Sequence, residues 1–512
     1  MKARVFLLIP AVLALSAAGA MADISLPPVF TDNMVLQREV LLPVWGRAMA
    51  GETVTVEFAG QKKTTTADAQ GEWKLKLDPL AASAEPRTLR ISGGQKIQFT
   101  NVLVGEVWLA AGQSNMEFPL ARENSARTEI PAATNSQLRL LNFPFAGQYF
   151  YAKPFGAEET ARQTPEKFFS GAWQACSPAT ATSFSAIAYY FSQELSKKLS
   201  VPVGIIHCAV GGSPTEAWIS RAALESDPEL CAIVHGNWLT NTALDDWCRQ
   251  RGHENLDAAS NAGLSLPGDE LGPNHEFKPA FLWDAGPARF APFAVRGVIW
   301  YQGESNSLEE RRVRQHGKLF PLLVRNWRAA WDENFPFLFC QLSSIRTNSY
   351  KSASWPEFRD QQRRFLDTIP NTGMAVTSDL GLPNDVHPRD KRDVGHRLAL
   401  WALAKTYGEK IEFSGPLPET IHRDGRKLIV QFTHSDGLKT GDGKSPRGFE
   451  IVGDDGMAQP AGTEINGRNV ILSAEEIATP VAVRYGWQPF TDANLVNRDG
   501  LPASTFTLGI TQ

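Results

Sequence analysis

Four short segments of this chain carry the residue types that ester chemistry needs. Ser114 lies in Gly112-Gln113-Ser114-Asn115-Met116-Glu117, directly after the apolar run 107–111. Gly211-Gly212-Ser213-Pro214-Thr215-Glu216 follows the apolar run 203–208, and Tyr301-Gln302-Gly303-Glu304-Ser305-Asn306 follows the run 295–300. Asp385-Val386-His387-Pro388 comes after a further apolar run at 374–377. A serine hydroxyl is a weak nucleophile until a base takes its proton. Ser114 alone reads better as a helix N-cap; a partner base makes it a nucleophile. Of the nine His, only His387 combines a nearby acid with a position past the end of a strand-like run. Pro388 restrains its backbone to an extended form. Asp385 could orient one imidazole nitrogen while the other accepts the serine proton. His207, inside an apolar run, reads as a core residue.

The remaining polar groups suit charge stabilisation. Gly212 has no Cβ and can bring its backbone N–H close to a substrate. Gln302 and Asn306 each offer an amide donor; a donor aimed at the developing oxyanion is worth roughly 10²–10³ in rate. Gln113, Asn115 and Glu304 are candidate substrate contacts. Glu304 and Glu216 also read as buried hydrogen-bonding partners that shape their loops. A neutral base is required, so activity is expected to fall below roughly pH 6 to 7.

For these segments to meet, the runs before them must be neighbouring strands of one sheet. Near-continuous apolar runs suit parallel strands covered on both faces. Helical spacing at Phe184, Ile187, Ala188, Phe191 and Leu195, and again at Val394, Leu398 and Trp401, supplies the covering layers. Alternating strand and helix implies a doubly wound α/β domain, whose ligands bind beyond the carboxyl ends of the strands. That domain is expected over residues 105–410. An Asn-, Asp-, Gly- and Pro-rich insertion at about 225–290 carries Trp238 and Trp247. Short β-rich runs punctuated by Gly predict sandwich-type β modules on either side, at 23–104 and 411–512.

Composition narrows the function classes. With 43% hydrophobic and 21% charged residues the 512-residue chain is ordinary globular protein of several units. A formal net charge of -4 gives no basic field for nucleic acid. Lys2 and Arg4, the apolar stretch 5–18 and Ala20-Met21-Ala22 read as a cleavable export signal over 1–22. A periplasmic or secreted protein with no membrane attachment after signal removal is therefore expected. The five Cys match no zinc spacing. Cys231 and Cys248 could pair in an oxidising compartment, and Cys208 and Cys340 read as buried and inert. The fourteen Trp read first as core or interface packing, with sugar stacking as the alternative.

Taken together, the segments resemble the SGNH hydrolase superfamily and, more closely, the sialate O-acetylesterase family. The likeness spans nearly the whole mature chain. It begins with Leu26-Pro27-Pro28-Val29-Phe30-Thr31-Asp32-Asn33-Met34-Val35-Leu36-Gln37 and ends with Arg484-Tyr485-Gly486-Trp487 and Gly500-Leu501-Pro502-Ala503-Ser504. The resemblance implies a flavodoxin-like catalytic domain and no metal or other cofactor. It also implies a serine esterase that releases acetyl groups from an O-acetylated sugar through an acetyl-serine intermediate. Ser114 would be nucleophile and His387 base. The backbone N–H groups of Ser114 and Gly212, with the side chain of Gln302 or else Asn306, would form the oxyanion hole. Only Val386 separates Asp385 from His387 where the superfamily has two residues, so Asp379 is a second candidate to orient the imidazole. O-acetylated sialic acid is the leading substrate. Another acetylated glycan, such as acetylxylan, and a non-catalytic carbohydrate-binding role are the alternatives.

Overall fold

The strand Lys96–Gly112 organises the molecule, and its burial changes halfway along. Residues 96–101 alternate between exposed and half-buried, as in a sheet with one wet face; residues 102–112 are buried throughout. Its first part pairs antiparallel with Ser83–Ser92, and its second part lies parallel between Val203–Ala209 and Gly297–Tyr301. The expected change of architecture near residue 105 thus falls inside one continuous strand. Glu106, at that point, is fully buried and neutralised by Arg296 (2.8 Å) and Arg38 (2.5 Å). The structure is a computed structural model and describes residues 23–510. The expected export signal lies outside the described residues. Among those described, no helix is long and apolar enough to cross a membrane.

The fold is mixed α/β around a central, mostly parallel sheet. Its order across the sheet is Thr372–Ala375, Phe337–Cys340, Gly297–Tyr301, Lys96–Gly112, Val203–Ala209, Asn135–Asn142 and Trp173–Cys176, the last pair antiparallel. Asn135–Asn142 and Trp173–Cys176 carry no continuous apolar run, which is why the sequence pattern misses them. The chain leaves Lys96–Gly112 for Asn135–Asn142, returns to Val203–Ala209 beside its starting strand, and then crosses to Gly297–Tyr301 on the other side. Counted along the chain, the five parallel strands expected from the sequence read 2-1-3-4-5 across the sheet, and Asn135–Asn142 and Trp173–Cys176 extend it beyond Val203–Ala209. This order places the carboxyl ends of the strands before Ser114, Gly211 and Gln302 side by side.

Helices cover both faces. Ala186–Leu199 and Arg392–Trp401 pack together on one, and Glu310–Trp331 brings Leu319, Phe320, Leu323 and Trp327 to the other. Seven Trp, among them Trp108, Trp218, Trp300 and Trp327, are fully buried, in line with core packing. The expected insertion holds the helix Asp246–Asn261, started by Asp245, whose side chain accepts from the Trp247 N–H (3.2 Å). Beyond it, β-strands form antiparallel sheets over Leu417–Gly509 around Val430, Phe432, Ile451, Val483 and Phe506. All five Cys are free thiols, so the Cys231–Cys248 pairing is not present. Cys208 and Cys340 are buried, and burial pushes both thiols well up, in keeping with inert core residues.

Candidate active site

Gly112 ends its strand with φ +135°, and a Cβ there would lie 2.2 Å from the Tyr301 carbonyl oxygen of the adjacent strand. Only glycine permits this approach. The Gln113 N–H donates to that same carbonyl (2.9 Å), and the N–H groups of Met116 and Glu117 fold back onto the Gln113 carbonyl. The turn so made presents Ser114 as the first residue of the helix Ser114–Glu117.

His387 arrives from the loop after Thr372–Ala375, and its Nε2 lies 2.8 Å from the Ser114 Oγ. Asp385 reaches back to it: its Oδ1 accepts from the His387 backbone N–H (2.9 Å) and stands 3.5 Å from Nδ1. The short Asp-Val-His spacing therefore brings the carboxylate close, but with a long imidazole contact. Asp379 is held instead by both guanidinium nitrogens of Arg397, at 2.7 Å each.

Burial is the main cause that pushes the His387 imidazole down to about 4; the Lys391 charge adds to it, Asp385 opposes it, and Arg122 adds a little more. The neutral, proton-accepting form then persists well below pH 6. This corrects the expectation from the free imidazole, because the site is drier and more positive than the sequence reveals.

The expected charge-stabilising groups divide into two sets. The backbone N–H groups of Ser114 and Gly212 are used in no hydrogen bond among the described residues. Gly212 sits at φ +73°, where a Cβ would meet Trp247 at 2.9 Å. Gln302 and Asn306, by contrast, spend their amides inside the protein. Gln302 Nε2 donates to Asn306 Oδ1 (2.7 Å) and Ser213 O (3.3 Å), and its Oε1 accepts from Thr215 Oγ1 (2.7 Å). Asn306 Nδ2 donates to Glu216 (3.0 Å), which is itself paired with the buried Arg312 (2.5 Å). Neither amide lines the cavity above Ser114. Gln113 does: its Oε1 accepts from the N–H groups of Gly303 (3.2 Å) and Ser305 (3.4 Å), while its Nε2 donates to no protein group among the described residues.

Asn115 lies beneath the site rather than on its wall. It is fully buried; Oδ1 accepts from Lys391 Nζ (2.5 Å), and Nδ2 donates to Glu304 Oε1 (2.5 Å) and the Val386 carbonyl (3.1 Å). Glu304 borders the cavity but is almost wholly buried, and burial raises its carboxyl.

The cavity holds about 660 Å³. Trp247, Arg251, Asn255, Glu276 and Phe277, from the segment 225–290, form part of its wall. Arg251 lies over the Tyr151 ring, 3.8 Å from its centroid, and Arg122 over Phe118 at 4.8 Å. Tyr149 and Tyr151 stand largely exposed at the rim. Burial pushes Glu276 up to about 8, so this acid is uncharged at neutral pH. Sequence reasoning names Trp247 but misses Arg122, Arg251, Glu276 and Lys391. None of these sits in a Gly-rich strand-end segment, the signal that exposes the others.

A serine–imidazole pair thus stands at the carboxyl edge of a parallel sheet, under a cavity walled by aromatic and cationic side chains, an arrangement that ester hydrolysis can use. A family model described as carbohydrate esterase, sialic acid-specific acetylesterase, matches residues 285–404. The chain is similar to a carbohydrate acetylesterase of known structure from Xanthomonas citri, with 34% identity and a TM-score of 0.77 over 95% of this chain and 99% of that one. It is also similar to the sialate O-acetylesterases of Rattus norvegicus (28% identity over 94% of each chain) and Homo sapiens (29% identity over 89% of this chain and 86% of that one). The chain belongs to the carbohydrate acetylesterases and is a carboxylic ester hydrolase.

Proposed function

We propose that the protein is an SGNH-type serine esterase that removes O-acetyl groups from a sugar through an acetyl-serine intermediate, with Ser114 as nucleophile and His387 as base. The 2.8 Å contact between Ser114 Oγ and His387 Nε2, at the floor of an open cavity, carries this reading. Ser114 Oγ attacks the acetyl carbonyl carbon while Nε2 takes the hydroxyl proton. The carbonyl oxygen becomes an oxyanion facing the N–H groups of Ser114 and Gly212. Collapse breaks the acetyl–sugar bond, and His387 returns the proton to the departing sugar oxygen. A water, deprotonated by His387, then cleaves the acetyl-serine and frees acetate. Asp385 steadies the imidazolium. Gln302 and Asn306 brace the loops, and Gln113 is the better-placed side-chain donor.

For the substrate we propose an O-acetylated sialic acid. Arg122 and Arg251 give the cavity two cations, while burial favours the uncharged form of its acids Glu117 and Glu276. An anionic sugar suits that balance. A neutral acetylated glycan is the second reading. It is favoured by the higher identity to the carbohydrate acetylesterase, 34%, than to the mammalian sialate O-acetylesterases, 28–29%. Acetate release measured on O-acetylated sialic acid and on acetylxylan separates the two, and release confined to xylan refutes the first. A Ser114→Ala protein inactive on both supports the serine mechanism, and one active on either refutes it.

A further inference from the structure

Lys391 is fully buried, yet the bond recorded for its ammonium is to a neutral amide, Asn115 Oδ1 at 2.5 Å. Burying a cation is expensive unless it is compensated. Here the compensation comes from the faces of Phe118 (4.8 Å) and Tyr301 (5.8 Å), and from Glu304 on the far side of the same amide. The Asn115 amide thus lies between a cation and a carboxyl group, so its dipole is aligned by both ends. Its Nδ2 also holds the Val386 carbonyl, at 3.1 Å. One side chain joins positions 115, 304, 386 and 391, and two of these are the immediate neighbours of Ser114 and His387.

We propose that Lys391 is a positioning residue of the esterase site: through Asn115 its buried ammonium fixes the His387 loop against the Ser114 turn and adds its positive charge to the surroundings of the pair. The proposal rests on the Ser114–His387 reading above. The charged groups acting on His387 are Lys391 and Asp385 from its own loop and Arg122 from the turn that follows the Ser114 helix. Glu117 and Glu304 border the same cavity. Glu304, Cys340, Asp385 and Asp390 act on Lys391 itself. Burial pushes Lys391 down to about 7, so it is charged throughout the acidic range in which His387 titrates. Lys391 does not line the cavity, and a role in substrate binding would require that it did.

The test uses two variants of the full chain, assayed with p-nitrophenyl acetate across pH 3–8. In Lys391→Met the charge is gone: the acid limb of kcat/KM should move upward by about 0.5 to 1 pH unit, and kcat should fall at least about tenfold with KM within about twofold. In Asn115→Ser the tie to Val386 is gone but the charge stays: kcat should fall with KM held, and the limb should not rise. A K391M protein with wild-type melting and an unmoved limb overturns the proposal. So does an N115S protein whose kcat stays within twofold of wild type, and this second variant decides the matter if K391M does not fold. Ser114→Ala is assayed alongside. If it retains activity, the serine reading has failed; if it is inactive while K391M keeps the wild-type limb, only the role of Lys391 has failed.

Discussion

Asn115 and Val386, the residues next to Ser114 and His387, are joined by a hydrogen bond of 3.1 Å although 271 positions separate them in the chain. The Ser114 and His387 side chains are therefore not held by their own contact alone. The serine turn and the histidine loop are fastened one residue away, through the fully buried side chain of Asn115. A catalytic pair supported in this way keeps its spacing before substrate arrives.

The first expectation concerns the nucleophile. Ser114→Ala should lower kcat/KM by at least about 10³, because removing one member of a serine–histidine unit removes the covalent route. Rates with p-nitrophenyl acetate measure this, and circular dichroism checks that the fold is kept. A loss below tenfold would mean that another residue attacks the ester.

The orienting acid should matter less than in sites with a short carboxylate–imidazole bond. The Asp385 Oδ1 stands 3.5 Å from Nδ1 and is shared with the His387 backbone N–H. Asp385→Asn should cost about 10- to 100-fold in kcat, against about 10⁴ where that bond is short. Asp385 draws the imidazole pKa upward, so its removal should shift the acid limb down. An upward shift would contradict the field described here.

The pH profile itself is a prediction. As the proposed base, His387 can act only when neutral, and burial together with Lys391 pushes its pKa down to about 4. A group shifted downward loses its neutral form only as pH falls through the lowered value. Activity should therefore hold at pH 5.5 and fall towards pH 4. Initial rates from pH 3 to 8 would show it, and a midpoint between 6 and 7 would mean that the imidazole is more hydrated than its surroundings indicate.

How much of this could be read from the sequence depends on the kind of signal each part carries. The strands before Ser114, Gly211 and Gln302 are buried on both faces, so they stand out as unbroken apolar runs. Ser114 and His387 are found because they follow such runs. Asn135–Asn142 contains Ser136, Gln137 and Arg139 and gives no such run, so the extension of the sheet beyond Val203–Ala209 is invisible. Gln302 and Gln113 are indistinguishable as amides in a sequence. Only the partners of each show which is spent inside the protein. Arg251 reaches the cavity from the insertion helix, whose contact with the sheet edge no local pattern encodes.

The two glutamines give a paired test. Gln113→Ala removes an amide whose Oε1 is pinned by Gly303 and Ser305 and whose Nε2 is unspent. It should lower kcat by about 10²- to 10³-fold, the range of a lost oxyanion donor. Gln302→Ala leaves Thr215, Ser213 and Asn306 short of partners and should cost about 1–3 kcal/mol of stability instead. Urea denaturation and steady-state kinetics on both proteins distinguish these effects. A larger kcat loss in Q302A than in Q113A would return the oxyanion role to Gln302.

Substrate charge should be read by Arg251. Its guanidinium is nearly buried, rests on the Tyr151 ring at 3.8 Å and bonds Glu254 through Nη1 at 2.5 Å, which fixes its orientation towards the cavity it lines. A guanidinium held over an aromatic face and by a carboxylate loses little freedom on binding an anion. Arg251→Ala should raise KM for an O-acetylated sialic acid about tenfold or more, while kcat/KM for p-nitrophenyl acetate, which carries no anion, stays within about threefold. Equal losses on both substrates would assign Arg251 to the cavity wall alone and favour a neutral glycan. A loss confined to the anionic sugar would tie the specificity to the insertion that carries this residue.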